Sequence, residues 1–375
     1  MAEYLTNTTD LTAVANAIRE KGGTSEQLAC PDGFVAAIQA IQTGAPLQIA
    51  VTTNAGATVT ATKGSKTVSG TADTSGNCTL TVDEAGTWTI TAATASTTKT
   101  SDVVVGISNV DLSLVDSVLN NNSWETIKKV SDAGQGENYW SVGDRKAVTL
   151  NGTVGYLSLS NATIYAFIIG FNHNASVEGT NRIHFQLGKT ALSGGTDVAL
   201  CDGHYNSKVS TTDYFSMNSN GTNSGGWASS QMRTRICGTS LSSYSGTIIA
   251  VIPAALRAVL KSVTKYTDNT GGGNTEASNV TATTDYFFLL SEYEVFGSIT
   301  YANTNESSKQ AQYAYYSAGN SKIKHKHNET STGALWWLRS RNARNSYRFV
   351  RVSDDGTVDY LLANYSVGFA PGFCV

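Results

Sequence analysis

Leu335-Trp336-Trp337-Leu338-Arg339-Ser340 is the stretch on which the reading of this chain turns, together with Arg341, Asn342, Arg344, Ser346, Tyr347, Arg348 and Arg351 just beyond it. Each large aromatic ring buries on the order of 150 to 250 Å² when it enters a core. Trp336 and Trp337, with Leu on either side, are therefore expected to clamp a strand into the interior as scaffold. The residues that follow have another character, since guanidinium, amide and phenol groups crowd into a few positions and recur at Tyr360, Asn364 and Tyr365. Arg and Tyr offer large, versatile contacts at modest ordering cost, as contact surfaces require. Asp354-Asp355-Gly356 reads as a hairpin turn between Phe349-Val350-Arg351-Val352 and Val358-Asp359-Tyr360, because Asp-Gly supplies the backbone conformation a tight turn needs.

Upstream, residues 107–375 mix two helices with many short strands. One helix is opened by Ser123 and runs through Ile127 and Val130; the other follows Pro253, with Leu256, Val259, Leu260 and Val263 on one face. Strands are expected at 147–150, 163–170, 182–187, 247–252, 286–290 and 348–352. The segments 218–226 and Gly271-Gly272-Gly273 read as exposed loops. Between Pro46 and Gly106 the apolar period is two, as in Cys78-Thr79-Leu80-Thr81-Val82 and Thr87-Trp88-Thr89-Ile90, which predicts a small β-sandwich. Residues 1–45 predict two short amphipathic helices, at 8–22 and after Pro31, too small to be stable alone and read as an attachment module.

Composition narrows the function classes. The 375 residues carry 26 Lys plus Arg against 29 Asp plus Glu, a formal charge of -3, which gives no general attraction to nucleic acid or anionic membrane. The start, Met1-Ala2-Glu3-Tyr4, lacks the basic and apolar regions of a signal peptide, and no apolar run reaches the roughly 20 residues that span a bilayer. Secretion by signal peptide and membrane insertion are not expected. Five scattered cysteines without a C-x-x-C pair argue for buried thiols, although Cys201 and Cys237 could bridge.

P-loop, G-x-G-x-x-G, G-x-S-x-G and H-E-x-x-H signatures are missing. His325, His327 and Glu329 could approach a metal, but Lys322, Lys324 and Lys326 repel a cation, so a solvated basic loop is the expectation. His184 in an alternating strand reads as a hydrogen-bonded structural histidine. Neither a metal nor another cofactor is expected, and no residue is assigned a catalytic role. Glu292, Glu294 and Asp285 are the acids an enzymatic alternative would use.

The runs Trp336-Trp337-Leu338-Arg339-Ser340, Val352-Ser353-Asp354-Asp355-Gly356 and Asn364-Tyr365-Ser366-Val367-Gly368, with Pro371, resemble the end of C-type-lectin-fold domains of bacterial and phage proteins. Tyr139-Trp140-Ser141-Val142-Gly143-Asp144, Gly170-Phe171-Asn172-His173-Asn174 and Phe288-Leu289-Leu290-Ser291-Glu292 agree, so the resemblance covers about 107–375. The start of the chain is similar to leaders of prophage structural proteins, and 46–106 resembles immunoglobulin-like spacer modules. These likenesses imply a mixed α+β chain: a helical attachment module at 1–45, an Ig-like β-sandwich spacer at 46–106, and a C-type-lectin-like ligand-binding domain at 107–375. They also imply a tail adhesin of a phage or prophage particle. It would be assembled in the host cytoplasm with other tail proteins, be expected as a homotrimer, and bind a protein or glycan receptor on bacteria.

Some members of this family are diversified by retroelements that rewrite Asn codons near the gene's end. The resemblance thus implies a variable segment at about 335–375, where Arg341 stands in place of the proline that commonly follows Trp-Trp-Leu-Arg-Ser. The ligand-binding surface it implies comprises Arg341, Asn342, Arg344, Ser346, Arg348, Arg351, Ser353, Asp359, Leu361, Leu362, Asn364, Tyr365, Val367, Phe369 and Ala370. The sugar-binding motifs of the calcium-dependent animal lectins do not occur. The alternatives are an envelope-degrading glycoside hydrolase of the particle and a structural decoration protein.

Overall fold

The computed structural model describes residues 15–16, 47–84, 86–105, 110–111 and 115–375. The chain divides into two units, Met1–Leu114 and Val115–Val375. Both are rich in antiparallel sheet, and the architecture as a whole is mixed, with few helices. The expected helices of 1–45 lie outside the described residues except for Ala15 and Asn16, which are helical.

In the first unit, Leu47–Thr52 pairs with Asn77–Val82 and, in parallel, with Val110–Asp111. Lys66–Thr71, Thr58–Lys63, Thr87–Ala93 and Thr98–Val104 form a second sheet in that order. Alternation turns Ile49, Val51, Leu80 and Val82 of one sheet and Val59, Ala61, Trp88 and Ile90 of the other into one core. The threonines between them face outward. The expected boundary at 106 falls short, because Val110–Asp111 still pairs with the first strand of this unit.

The second unit is organised on a five-stranded sheet, in the order Phe287–Phe288, Gly372–Cys374, Ile183–Lys189, Leu157–Phe171 and Arg145–Val154. Its helix Trp124–Asp132 begins as expected. Ser123 Oγ accepts the Thr126 N–H at 3.0 Å, a cap that contributes about 1 kcal/mol, and Trp124, Ile127 and Val130 are buried. The apolar run 247–252, expected as a strand, forms instead the one-turn helix Ile248–Val251, with Ile248, Ile249, Val251 and Ile252 all buried. A run of that length buried on every side has no period to betray its conformation. After Pro253 the helix stops at Arg257, and Val263 already opens the strand Val263–Asp268. Of 286–290, only Phe287–Phe288 is extended as strand.

A separate three-stranded sheet carries the decisive stretch: Trp336–Arg341 pairs with Arg348–Val352, which pairs with Val358–Leu362. The Asp-Gly hairpin is where it was expected, with Gly356 at φ +83°. Cys78, Cys201, Cys237 and Cys374 are buried free thiols, so Cys201 and Cys237 do not bridge; Cys30 is outside the described residues.

Candidate functional site

Trp336 and Trp337 are fully buried, and each indole N–H is satisfied, by the Lys322 carbonyl at 3.0 Å and the Phe215 carbonyl at 2.9 Å respectively. The clamp expected of them is present. Arg339, on the same strand, is equally buried and donates to Thr267 Oγ1, the Leu289 carbonyl and both oxygens of Glu294.

Glu294 owes its position to a capping box: Ser291 Oγ accepts the Glu294 N–H, and the Glu294 carboxylate accepts the Ser291 N–H, both at 3.0 Å. Lys265 closes the network by donating to Glu294 at 3.0 Å, Glu178 at 2.7 Å and Tyr313 Oη at 2.8 Å. Burial alone would raise the Glu294 carboxyl, but the Arg339 and Lys265 charges outweigh it and hold this group well below the usual carboxylate range. Burial lifts Glu178 to about 7 against the pull of Lys265, and it drives His173 down to about 3. His173, Glu178 and Glu294 offer ligand atoms within 4.8 Å of one another, yet the Lys265 ammonium already bonds both carboxylates. A divalent ion there would add charge to a group whose acids are already matched by Lys265 and Arg339, so the donor set fits a structural ion network better than a metal.

The remaining acids named for catalysis are also interior. Glu292 accepts backbone N–H groups of Thr300, Tyr301 and Ala302. Asp285 binds Trp227 Nε1 at 3.0 Å, Arg233 Nε at 2.6 Å and Thr283 Oγ1 at 2.6 Å. His184 is the structural histidine expected, packed against Tyr313 Oη and Cys374 Sγ, each at 3.2 Å. The expected basic loop is the strand Lys324–Lys326, and Lys324 is buried rather than solvated, its ammonium lying over the Trp336 ring.

Five of the fifteen residues assigned to the outward surface are enclosed: Arg341, Asn342, Val367, Phe369 and Ala370. Arg341 is paired with Asp268 at 2.6 Å and binds the carbonyls of Gly272 and Asn274, fastening the glycine loop. Asn342 turns its side-chain oxygen to the Arg344 N–H at 2.8 Å. After Tyr365 the chain dives inward. Val367 donates its N–H to the Phe215 carbonyl at 3.2 Å, Phe369 exchanges backbone hydrogen bonds with Leu200, and the Ala370 carbonyl accepts from Gln186. This descent leads into the strand Gly372–Cys374, which has a neighbour on each side in the five-stranded sheet.

The other ten reach solvent. Arg344 is exposed, and Ser346, Arg348, Arg351, Ser353, Asp359, Leu361, Leu362, Asn364 and Tyr365 are half-buried. Arg348 lies over the Tyr360 ring at 4.6 Å, Tyr360 meets Tyr301 edge to face, and Arg351 pairs with Asp359 at 2.7 Å.

Beneath the 342–347 loop stands Asn223, fully buried in a segment expected to be exposed. Its side-chain N–H₂ donates to the carbonyls of Asn345 at 2.8 Å, Arg348 at 3.0 Å and Asn342 at 3.3 Å, while its backbone N–H donates to Ser346 O at 2.8 Å. The Ala343 N–H is held by the Tyr301 carbonyl and the Ala363 N–H by that of Tyr347. The loop backbone is thus fixed from below, while Arg344 and Tyr347, the latter 60% exposed, point away. Alongside, Lys208 faces the Tyr365 ring across a short strand pairing. Lys208 and Tyr301 join this surface and Asn223 supports it from beneath, three residues the sequence reading did not single out.

Residues 205–375 match the family described as a domain of unknown function (DUF6273), a span that includes the whole three-stranded sheet and Asn223 but not the strands Arg145–Val154, Leu157–Phe171 and Ile183–Lys189. None of the curated proteins compared matches the chain.

Proposed function

We propose that the second unit is a receptor-binding domain of the C-type-lectin-like kind, carried on a phage or prophage tail, and that it contacts a bacterial surface ligand through the 342–348 loop and the adjoining hairpin. The observation that carries this reading is the division of labour in the loop: Asn223 holds the backbone by its carbonyls while Arg344 and Tyr347 remain free for a partner. A pre-ordered loop loses little entropy on binding. It also tolerates replacement of its outward side chains, as retroelement diversification would require, with the varied positions restricted to those that reach solvent. The first unit then serves as an Ig-like spacer and residues 1–45 as the attachment to the particle, with a homotrimer supplying avidity.

The internal hydrogen bonds and ion pairs of Glu292, Glu294 and Asp285 favour binding over glycoside hydrolysis. The test is adsorption of fluorescently labelled full-length chain to a panel of bacterial strains, in parallel with an Arg344→Ala/Tyr347→Ala variant. Adsorption to at least one strain, reduced tenfold or more in the variant, is expected. Equal adsorption by both proteins, or adsorption to none, rejects the assignment.

A further inference from the structure

A second group of aromatic rings, two exposed and one half-buried, is built from residues outside the 342–348 loop. Tyr156, at the tip of the long hairpin Arg145–Val154/Leu157–Phe171, is 56% exposed. Its ring centroid is 4.5 Å from that of Tyr214, which is in turn 4.3 Å from the exposed His204, so three rings form a continuous run. Arg235 grips the Asp213 carboxylate with Nε and Nη2, the latter at 2.8 Å, and among the described residues its Nη1 has no hydrogen-bond partner. This ion pair is partly exposed, and such pairs contribute little to stability.

The patch is built rather than incidental. Gly155, at φ +52°, brings the hairpin tip so close that a Cβ there would stand 2.1 Å from the Asp213 carbonyl. That carbonyl accepts the Tyr156 N–H at 3.0 Å. Asp213 itself adopts φ +75°, in the left-handed region that Asp and Asn enter more readily than other residues with side chains. Asp202, buried beneath, accepts the backbone N–H groups of His204 at 2.9 Å and Phe215 at 2.7 Å, and so fixes both ends of the segment that carries His204 and Tyr214.

We infer that Tyr156, Tyr214 and His204, with the Asp213–Arg235 pair, form a binding site for a neutral saccharide. A pyranose presents a flat patch of C–H groups that packs on ring faces, flanked by hydroxyls that both donate and accept. The Asp213 carboxylate has lone pairs left to accept from one hydroxyl, and Arg235 Nη1 has hydrogens to donate to its neighbour. The pair carries no net charge, which disfavours phosphorylated or sulfated ligands. Three rings, partly covered by one another, fall far short of the roughly 800 Å² per partner of a standard protein interface.

The site shares no residue with the 342–348 loop, although its 204–214 segment pairs with Asn364–Ser366 of the adjoining surface, and separate variants let either assignment fail alone. The experiment is binding of the full-length chain to an array of neutral and anionic bacterial oligosaccharides and polysaccharides, with Tyr156→Ala, Arg235→Met and Arg344→Ala/Tyr347→Ala variants alongside. Tyr156 and Arg235 are exposed enough that their replacement leaves the thermal melt in place. Expected is binding to at least one neutral glycan, weakened tenfold or more by Y156A and by R235M and unchanged in the loop variant. Binding to no neutral glycan, retention of neutral-glycan binding in Y156A, or its loss only in the loop variant overturns the inference.

Discussion

Arg339 and Arg344 are five positions apart and do opposite things. Arg339 is enclosed and spends its guanidinium on Glu294, Thr267 and a backbone carbonyl; Arg344 is exposed and its side chain has no hydrogen-bond or ion-pair partner among the described residues. The strand Trp336–Arg341 is therefore an internal fastening, and the loop after it is a display held by its backbone. What separates them is the location of partners: Glu294 and Asp268 wait inside for Arg339 and Arg341, whereas Asn223 and Tyr301 hold the loop by its backbone groups.

Breaking the fastening has the largest expected effect. Arg339→Met leaves Glu294 and Lys265 in an unbalanced interior, a change that costs about 3 to 5 kcal/mol and is read from the urea midpoint of the second unit's transition. Asn223→Ala removes the donors under the loop and leaves buried carbonyls short of partners, at about 1 to 3 kcal/mol. Its distinguishing sign is faster amide exchange confined to residues 342–348, with the Trp336–Arg341 strand still protected.

A pH series sharpens the comparison from the interior side. Burial pushes Glu306, which accepts from Ser340 and the Asp268 N–H, up to about 7 from an ordinary 4.5. The folded state then holds this proton more tightly than the unfolded chain. Its contribution is present below pH 4.5 and is lost as pH rises towards 7. His173 and His184, depressed by burial, act in the reverse sense as pH rises towards their ordinary value of 6.5. Glu178, also lifted to about 7 by burial, and Glu292, raised by burial, act in the same sense as Glu306, so the informative quantity is the difference between wild type and Glu306→Gln. Wild type is expected to lose stability relative to E306Q between pH 4.5 and 7 and to run parallel to it above; parallel curves throughout would remove Glu306 from the network. The smallest stability effect belongs to Arg344→Ala/Tyr347→Ala, within about 0.5 kcal/mol of wild type because surface side chains without partners carry little stability.

How much of this was legible depended on whether the signal was local. The Trp pair, the Asp-Gly turn, the Ser123 cap and the period-two strands of the first unit are set by neighbours in sequence, and each is present. Arg341 read as surface because its partner Asp268 lies 73 residues away, and a long polar side chain on a strand gives no hint of such a distant acid. Phe369 and Ala370 read as variable positions, yet the strand they lead into is an inner member of the five-stranded sheet, a long-range pairing. Asn223 was hidden within a run of Asn, Ser and Gly whose composition suggests a solvated loop. One missed signal was available: Ser291 three residues before Glu294 is a capping-box pattern, and it removes Glu294 from the list of free carboxylates.

The most direct test of the whole account is a substitution scan of residues 335–375 in the full-length chain, scoring folding and bacterial adsorption separately. The account predicts two populations: changes at Trp336, Trp337, Arg339, Arg341, Phe369 and Ala370 abolish folding, while changes at Arg344, Ser346, Tyr347, Asn364 and Tyr365 leave the fold intact and alter which strains are bound. A scan in which those outward positions are as intolerant of change as the inner ones, or in which they can be replaced without any effect on adsorption, would contradict it.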